Sequence, residues 1–271
     1  VIFSKGGIVS IPLCFVAHRK GIPIVLHESD AVMGRANRIV ARWATKVCTG
    51  FPIQNAECRI QNDKKNSKQF SIRPIVTGNP IRPAVINGSK AEGLRLTSLS
   101  GKKPILLVIG GSQGAQALNS AIEKNIDTLL ALVDIVHLTG RGKQTTIKRD
   151  GYWQKEFAFE ELPHLYAIAG IALSRAGAGA IAELASNGIA MILVPIKGLA
   201  NDHQVKNAIT AQENGGCILL LQENLSSKLP EVIVDLVQNP QRRIEISQSV
   251  RILNHPSAAG QIAQILIQCV A

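Results

Sequence analysis

The chain has 271 residues, 46% hydrophobic and 18% charged, with 23 Gly, 12 Pro and a formal net charge of +11. That composition excludes disordered and collagen-like chains, and the length accommodates two ordinary domains. Five scattered cysteines without a C-x-x-C pair speak against a zinc site or disulfide scaffold and for a reducing, cytoplasmic setting.

The chain opens Val1-Ile2-Phe3, without Met and inside what reads as a buried strand, so it is expected to be a fragment that has lost upstream sequence. A tight loop Ser4-Lys5-Gly6-Gly7 leads to an apolar helix over 8–20, closed by Gly21, and a strand over 22–27. Such a βαβ unit predicts parallel strands with a right-handed crossover. A helix follows over about 34–45, with Arg35, Arg38, Arg42 and Lys46 lining one face, and Val47-Cys48 starts another strand. Residues 61–69 are polar and lysine-rich and read as an exposed loop. Prolines on both sides of Arg82 predict a stiff turn or hinge.

Past that turn, Pro104 to Ile109 is an uninterrupted buried strand. Gly110-Gly111-Ser112-Gln113-Gly114-Ala115 follows, then a helix over 116–130. Strands are expected over 135–138, 168–173 and 190–194, with helices between them. The tail reads as helices over 230–237 and 241–253 and a last one after Ser257, a candidate N-cap. Scarce aromatics (4%) and abundant small aliphatics suit parallel sheets covered by helices. The alternation predicts a doubly wound α/β fold with two Rossmann-like lobes divided near Arg82. No run reaches the ~18 apolar residues that a membrane-spanning helix needs.

Three βα loops of the second lobe carry chemistry. In Gly110 to Gly114, glycines permit close backbone approach, a helix start offers free N–H groups to an anion, and Ser112 adds a hydroxyl. In Ala176-Gly177-Ala178-Gly179-Ala180, the turn after Ser174 and Arg175, the side chains are too small to block a ligand. Glu183 lies one turn into the next helix, where it could accept ribose hydroxyls or simply cap the helix and pair with Arg175. In Asp202-His203-Gln204-Val205-Lys206-Asn207, Asp202 is a candidate N-cap, and His203 and Asn207 share a helix face beside Gln204. All three loops should lie at the carboxyl ends of strands, where open α/β sheets bind ligands. Together they fit a phosphorylated, hydroxyl-rich ligand such as a sugar nucleotide.

In order along the chain stand Phe3-Ser4-Lys5-Gly6-Gly7, His27-Glu28-Ser29-Asp30, residues 34–38, Thr77-Gly78-Asn79-Pro80-Ile81-Arg82, residues 110–115, His137-Leu138-Thr139-Gly140, residues 174–183, and Asp202-His203-Gln204 through Asn207. This series resembles the MurG family, UDP-N-acetylglucosamine transferases acting on undecaprenyl-diphosphate-muramoyl-pentapeptide in peptidoglycan synthesis. The resemblance implies two lobes of the GT-B glycosyltransferase type, the first incomplete. Residues 1–82 would be the remainder of the acceptor and membrane lobe, 83–253 the UDP-sugar lobe, and 254–271 a helix returning to the first lobe. It implies that Asp30, Arg82, Ser112, Ala178, Gly179, Ala180, Glu183, His203, Gln204 and Asn207 bind substrate, with Glu183 on ribose and Gln204 and Asn207 on the sugar. Reaction by inversion, without cofactor or metal, at the cytoplasmic side of the bacterial cell membrane is implied as well. The family often has Asn where this chain has Asp30. Its glycine-rich loop with a proposed His base has no counterpart here, which leaves His27 and Glu28 as local candidates for the catalytic base.

The basic charge fits phosphorylated substrates and an anionic membrane surface, and the stripe from Arg35 to Lys46 could meet headgroups or the acceptor diphosphate. Nucleic acid is not expected as a partner, because no aromatic platform or recognisable module accompanies the charge. The competing readings are another two-lobed UDP-sugar transferase or epimerase, and a non-catalytic sugar-nucleotide-binding subunit that needs a partner chain.

Overall fold

A computed structural model of the chain describes residues 1–52, 73–111, 114–198 and 202–270. The stretch 61–69, read as an exposed loop, and Ser112 with Gln113 lie outside the described residues.

The first unit runs β1 (Ile2–Ser4), α1 (Ser10–Arg19), β2 (Ile24–Glu28), α2 (Arg35–Val40), β3 (Lys46–Thr49) and β4 (Ile75–Val76). Its strands form one parallel sheet in the order β1-β2-β3-β4. Pro12 sits in the first turn of α1, where its missing N–H costs no intrahelical bond. Successive side chains of a strand alternate in direction. Ile24, Leu26 and Val47 therefore share one face, which Cys14 and Ala17 of α1 and Val40 of α2 cover.

α2 is shorter than the expected helix over 34–45. After Val40 the chain tightens into turns (Arg42 N to Ile39 O 3.2 Å, Trp43 N to Val40 O 2.9 Å), and the Thr45 N–H is claimed by Ile24 O at 2.7 Å. Arg35, Arg38, Arg42 and Lys46 are all exposed but span a helix, a turn and a strand start rather than one helical face.

The second unit opens with a 3-10 turn (Pro83–Ile86) and α3 (Lys90–Thr97). Then come β5 (Ile105–Ile109), α4 (Gln116–Lys124), α5 (Ile126–Leu132), β6 (Asp134–Leu138), β7 (Tyr152–Lys155), α6 (Leu162–Ile168), β8 (Ile171–Ser174), α7 (Ala178–Ser186), β9 (Ala190–Leu193), α8 (His203–Glu213) and β10 (Cys217–Leu219). α9 (Leu225–Gln238), α10 (Pro240–Val250) and α11 (Ala258–Gln268) close the described chain. The sheet is six-stranded and parallel, in the order β10-β9-β8-β5-β6-β7. Both faces are covered: Leu107, Val136, Ala172 and Met191 pack with α6, α7 and α8, while Leu106, Val108, Ile135, Leu173 and Ile192 pack with α4, α5 and α9.

The helix expected over 116–130 breaks at Asn125, whose amide donates to Ala121 O (2.9 Å) and to Ser226 O (3.0 Å), and so competes with the helical ladder. The strand expected from 168 starts at Ile171, because Ile168 closes α6. Neither expected N-cap forms. Asp202 adopts φ +56° and its Oδ1 accepts from Gly198 N at 2.6 Å, and the Ser257 hydroxyl accepts from Gln261 Nε2 at 3.1 Å.

α11 packs on the first sheet: Ile262 buries against Val25 and Cys48, with Ile265, Leu266 and Cys269 beside it. A side chain such as Ile262 contributes about 1.5–3 kcal/mol when fully buried, which holds this helix on the face opposite α1 and α2.

Candidate functional site

β5 is where the strand order reverses, with β6 on one side and β8 on the other. Open α/β sheets leave a crevice at such a point, outside the carboxyl ends of the strands. A cavity of about 730 Å³ occupies it here. Gly110, Gly111 and Gly114 line it after β5, Arg175, Gly177 and Ala180 around the start of α7, and Ile196, Gln204 and Gln222 complete the lining. Gly114 is required by geometry, since its φ is +66° and a Cβ there would stand 2.3 Å from Thr139 O.

The first intrahelical bond of α7 runs from Ile181 N to Gly177 O, so helix geometry leaves the amides of Ala178, Gly179 and Ala180 without intrahelical acceptors. The helix dipole makes this end partly positive. Gln204 Oε1 accepts from Ile196 N at 3.2 Å, which ties α8 to the segment after β9 at the cavity wall.

Arg175 gives the cavity its strongest charge. It is 9% exposed, its Nη1 donates to Val194 O (3.1 Å) and its Nη2 to Gln222 Oε1 (2.7 Å), while its buried Nε has no partner. Among the described residues no carboxylate pairs with it. Burial holds its pKa below the usual arginine value, since a desolvated cation without a counterion is disfavoured. The considered Arg175–Glu183 pair does not form.

Glu183 instead accepts from the Tyr166 hydroxyl at 2.8 Å. Tyr166 is 1% exposed; burial first, and then the Glu183 charge, pushes its pKa above the ordinary tyrosine value, so it stays a donor. Near this pair the exposed Arg82 lays its guanidinium 4.7 Å from the centre of the Phe159 ring, itself open to solvent. Glu183 lies nearly one turn along α7 from the cavity-lining Ala180 and is not itself in the lining. The site residues thus fall into two adjoining groups, one around Arg175 and one around Glu183, Tyr166, Arg82 and Phe159. Ala178 is buried and Gly179 exposed at the start of α7, and His203 is half-buried at the start of α8.

His27 and Glu28 are not placed as bases. His27 is fully buried on β2 with Nε2 3.0 Å from Gly78 O, and burial lowers its pKa, so the neutral ring donates to that carbonyl. Glu28 is 3% exposed. Its Oε1 accepts from Asp30 N (3.0 Å), and its Oε2 from Gly34 N (2.9 Å) and Asn37 Nδ2 (2.7 Å). Both carboxylate oxygens are committed to shaping the loop after β2. Asn207, expected on the sugar, is fully buried and bonded to Asp30, Ala31 and Ala176.

Sequence reasoning passed over Arg175, Gln222, Tyr166 and Phe159 as site residues. Arg175 carried a usable signal, because it directly follows a buried parallel strand at the end where ligands bind.

Two parallel α/β lobes, with a cationic cavity at the switch point of the larger sheet, define a GT-B-type glycosyltransferase fold. Its first-lobe residues 1–49 match the glycosyltransferase family 28 N-terminal domain, and residues 105–262 match the glycosyltransferase family 28 C-terminal domain. The chain belongs to glycosyltransferase family 28.

It is 38% identical over 248 residues to the UDP-N-acetylglucosamine--N-acetylmuramyl-(pentapeptide) pyrophosphoryl-undecaprenol N-acetylglucosamine transferase of Geobacillus kaustophilus, covering 89% of this chain and 66% of that protein. The protein of the same name in Clostridium kluyveri is 36% identical over 84% of this chain and 63% of its own length. The chain thus spans a little under two thirds of these relatives. Among solved structures, Acinetobacter baumannii MurG superposes with a TM-score of 0.76 at 23% identity, over 99% of this chain and 73% of that one. The UDP-GlcNAc 2-epimerase of Neisseria meningitidis, bound to UDP-GlcNAc, superposes with a TM-score of 0.65 at 12% identity, over 98% and 75%. These last two likenesses establish the fold.

Proposed function

We propose that this chain serves an enzyme activity that transfers N-acetylglucosamine from UDP-N-acetylglucosamine to the 4-hydroxyl of an undecaprenyl-diphosphate-linked muramoyl-pentapeptide, with inversion. The observation that carries this reading is Arg175, a buried cation at the cavity wall without an anionic partner among the described residues. Burying an unpaired charge is costly, and a diphosphate seated against Arg175 and the free amides of α7 would offset that cost.

In the reaction, the acceptor oxygen forms a bond to the anomeric carbon as the bond to the donor phosphate breaks. The electron pair leaves on the β-phosphate of UDP. Arg175 and the α7 amides meet that developing charge, which supports a site that needs neither metal nor cofactor. The acceptor proton goes to a base other than His27 or Glu28, both of which are buried and hydrogen-bonded elsewhere. Glu183, held by Tyr166, accepts ribose hydroxyls, and Phe159 under Arg82 offers a face on which the base can stack. Gln204 serves the sugar.

Among the described residues no helix is long and apolar enough to cross a membrane. Peripheral attachment to the anionic cytoplasmic leaflet is supported by exposed Ile8, Val9, Leu13, Phe15 and Val16 at α1, by the exposed Arg35, Arg38, Arg42 and Lys46, and by the net charge of +11.

The test is transfer of labelled N-acetylglucosamine to a lipid-linked muramoyl-pentapeptide, with UDP binding measured by calorimetry. Arg175→Met should weaken UDP binding at least about tenfold while leaving uridine binding nearly unchanged, since only the former carries the anion. Equal loss for both ligands would refute the diphosphate assignment, and absence of transfer by the full-length protein would refute the reaction.

A further inference from the structure

We infer that Asn207 and Asp30 form a latch between the two lobes, which makes Asn207 a positioning residue and not a sugar ligand. Asn207 stands on α8 three residues after the cavity-lining Gln204, yet it is fully buried. Its Oδ1 accepts from Ala31 N at 2.7 Å, and its Nδ2 donates to Asp30 Oδ1 at 2.8 Å and to Ala176 O at 3.1 Å. A side-chain amide has two N–H donors, so none remains for a ligand.

One side chain thus joins three segments: α8, the turn between Arg175 and Gly177 at the cavity, and the loop after β2. That loop is itself fastened, by Glu28 Oε1 to Asp30 N (3.0 Å) and by Asn79 Nδ2 to Ser29 O (2.9 Å). Ala31 and Phe51 of the first unit join the core cluster of the second, which also holds Ala176 and Ala208. Apolar contact is non-directional, whereas hydrogen bonds have preferred angles, so the amide tie sets the angle between lobes that α11 also joins. The inference rests on the proposed transfer in one respect: what the latch orients is the acceptor-side loop against the donor cavity. Because its side chains do not line that cavity, it should act on turnover and not on donor affinity.

The test uses the full-length protein and its Asn207→Asp variant, in which a carboxylate oxygen replaces the N–H groups facing Asp30 and Ala176. We expect kcat at saturating donor to fall about tenfold, with the Kd for UDP-N-acetylglucosamine held within about twofold. The radius of gyration from small-angle scattering should rise. Adding Asp30→Asn restores a donor opposite residue 207 and should recover most of the turnover and the compact scattering. Asp30→Ala, at a half-buried position, gives the same pattern should Asn207→Asp not fold. A rise in Kd of about tenfold with kcat unchanged would make Asn207 a donor ligand and overturn the latch. Scattering unchanged in both Asn207→Asp and Asp30→Ala would overturn it as well. Failure of the unmodified protein to bind UDP-N-acetylglucosamine would refute the transferase reading, while the scattering result still decides the latch.

Discussion

Tyr166→Phe tests whether Glu183 is held for a ligand. The ring is 1% exposed and packs in the core that also holds Leu165, Ile181 and Leu184, so the substitution removes one oxygen and leaves the packing intact. What is lost is a hydrogen bond of 2.8 Å from the hydroxyl to the Glu183 carboxylate. Bonds to charged groups contribute about 1.5–3 kcal/mol, and because Glu183 is half-buried, water restores part of this, leaving about 1 kcal/mol. For a unit of this size that lowers Tm by about 2–4 °C. A carboxylate no longer fixed in direction should weaken UDP-N-acetylglucosamine binding about fivefold, and Glu183→Gln should weaken it further. Calorimetry and thermal unfolding on both variants supply the numbers. Unchanged Kd in both would remove Glu183 from the donor site; a loss in Glu183→Gln alone would show that Tyr166 does not position it.

Gly114→Ala should reduce donor affinity by at least about tenfold, because a Cβ at φ +66° and 2.3 Å from Thr139 O must displace the cavity wall; affinity equal to the unmodified protein would show the loop to be pliable. Glu28→Gln sets an NH2 against N–H donors at Asp30, Gly34 or Asn37, so stability should drop about 1–3 kcal/mol in chemical denaturation, with turnover lost alongside; a silent variant would contradict the loop-shaping role. Alongside the buried His27 and the half-buried His255, His137 contributes to acid sensitivity. Burial lowers its pKa to about 4 from 6.5, and its neutral ring donates from Nε2 to Asn119 Oδ1 and accepts at Nδ1 from Tyr152. The unfolded chain takes up that proton first, so stability present above pH 6.5 falls progressively toward pH 4, by about 3 kcal/mol in all. Denaturation midpoints against pH should show this slope, and His137→Gln should reduce it, leaving the part due to His27 and His255; an unchanged slope would assign it elsewhere.

Much of the second sheet was legible because parallel strands covered on both faces read as unbroken apolar runs, as Ile105 to Ile109 does, and β5 and β8 lead into loops rich in small residues. β7 (Tyr152–Lys155) escaped because it is a half-exposed edge strand whose Tyr-Trp-Gln-Lys pattern shows no apolar period. α3 is polar and short, and its place is set by packing on α6, where Gly88 and Gly93 let the backbones approach. Of the site, the glycine loop and the start of α7 follow from local sequence, since each is a strand-to-helix turn. The roles of Glu183 and Asn207 do not. Glu183 finds Tyr166, 17 residues away on another helix, and Asn207 meets Asp30 at a separation of 177, a contact that exists only once the lobes dock. The same holds for Glu28: a carboxylate at a strand end looks catalytic until three donors are seen to converge on it.

The placement of α11 bears on the order in which the molecule assembles. The first sheet precedes the larger one along the chain, yet the cover of its Val25 and Cys48 face is residues 258–268, the last of the described elements. The larger sheet draws its strands and covering helices from the stretch between. On the ribosome that sheet can close while the earlier one still carries an uncovered apolar face. Vectorial synthesis therefore completes the lobe of the first sheet only after the larger one. Shortening the chain by that one helix should send the nascent protein to chaperones through a surface some two hundred residues upstream of the cut, by the ordinary hazard of exposed apolar faces in incompletely folded chains.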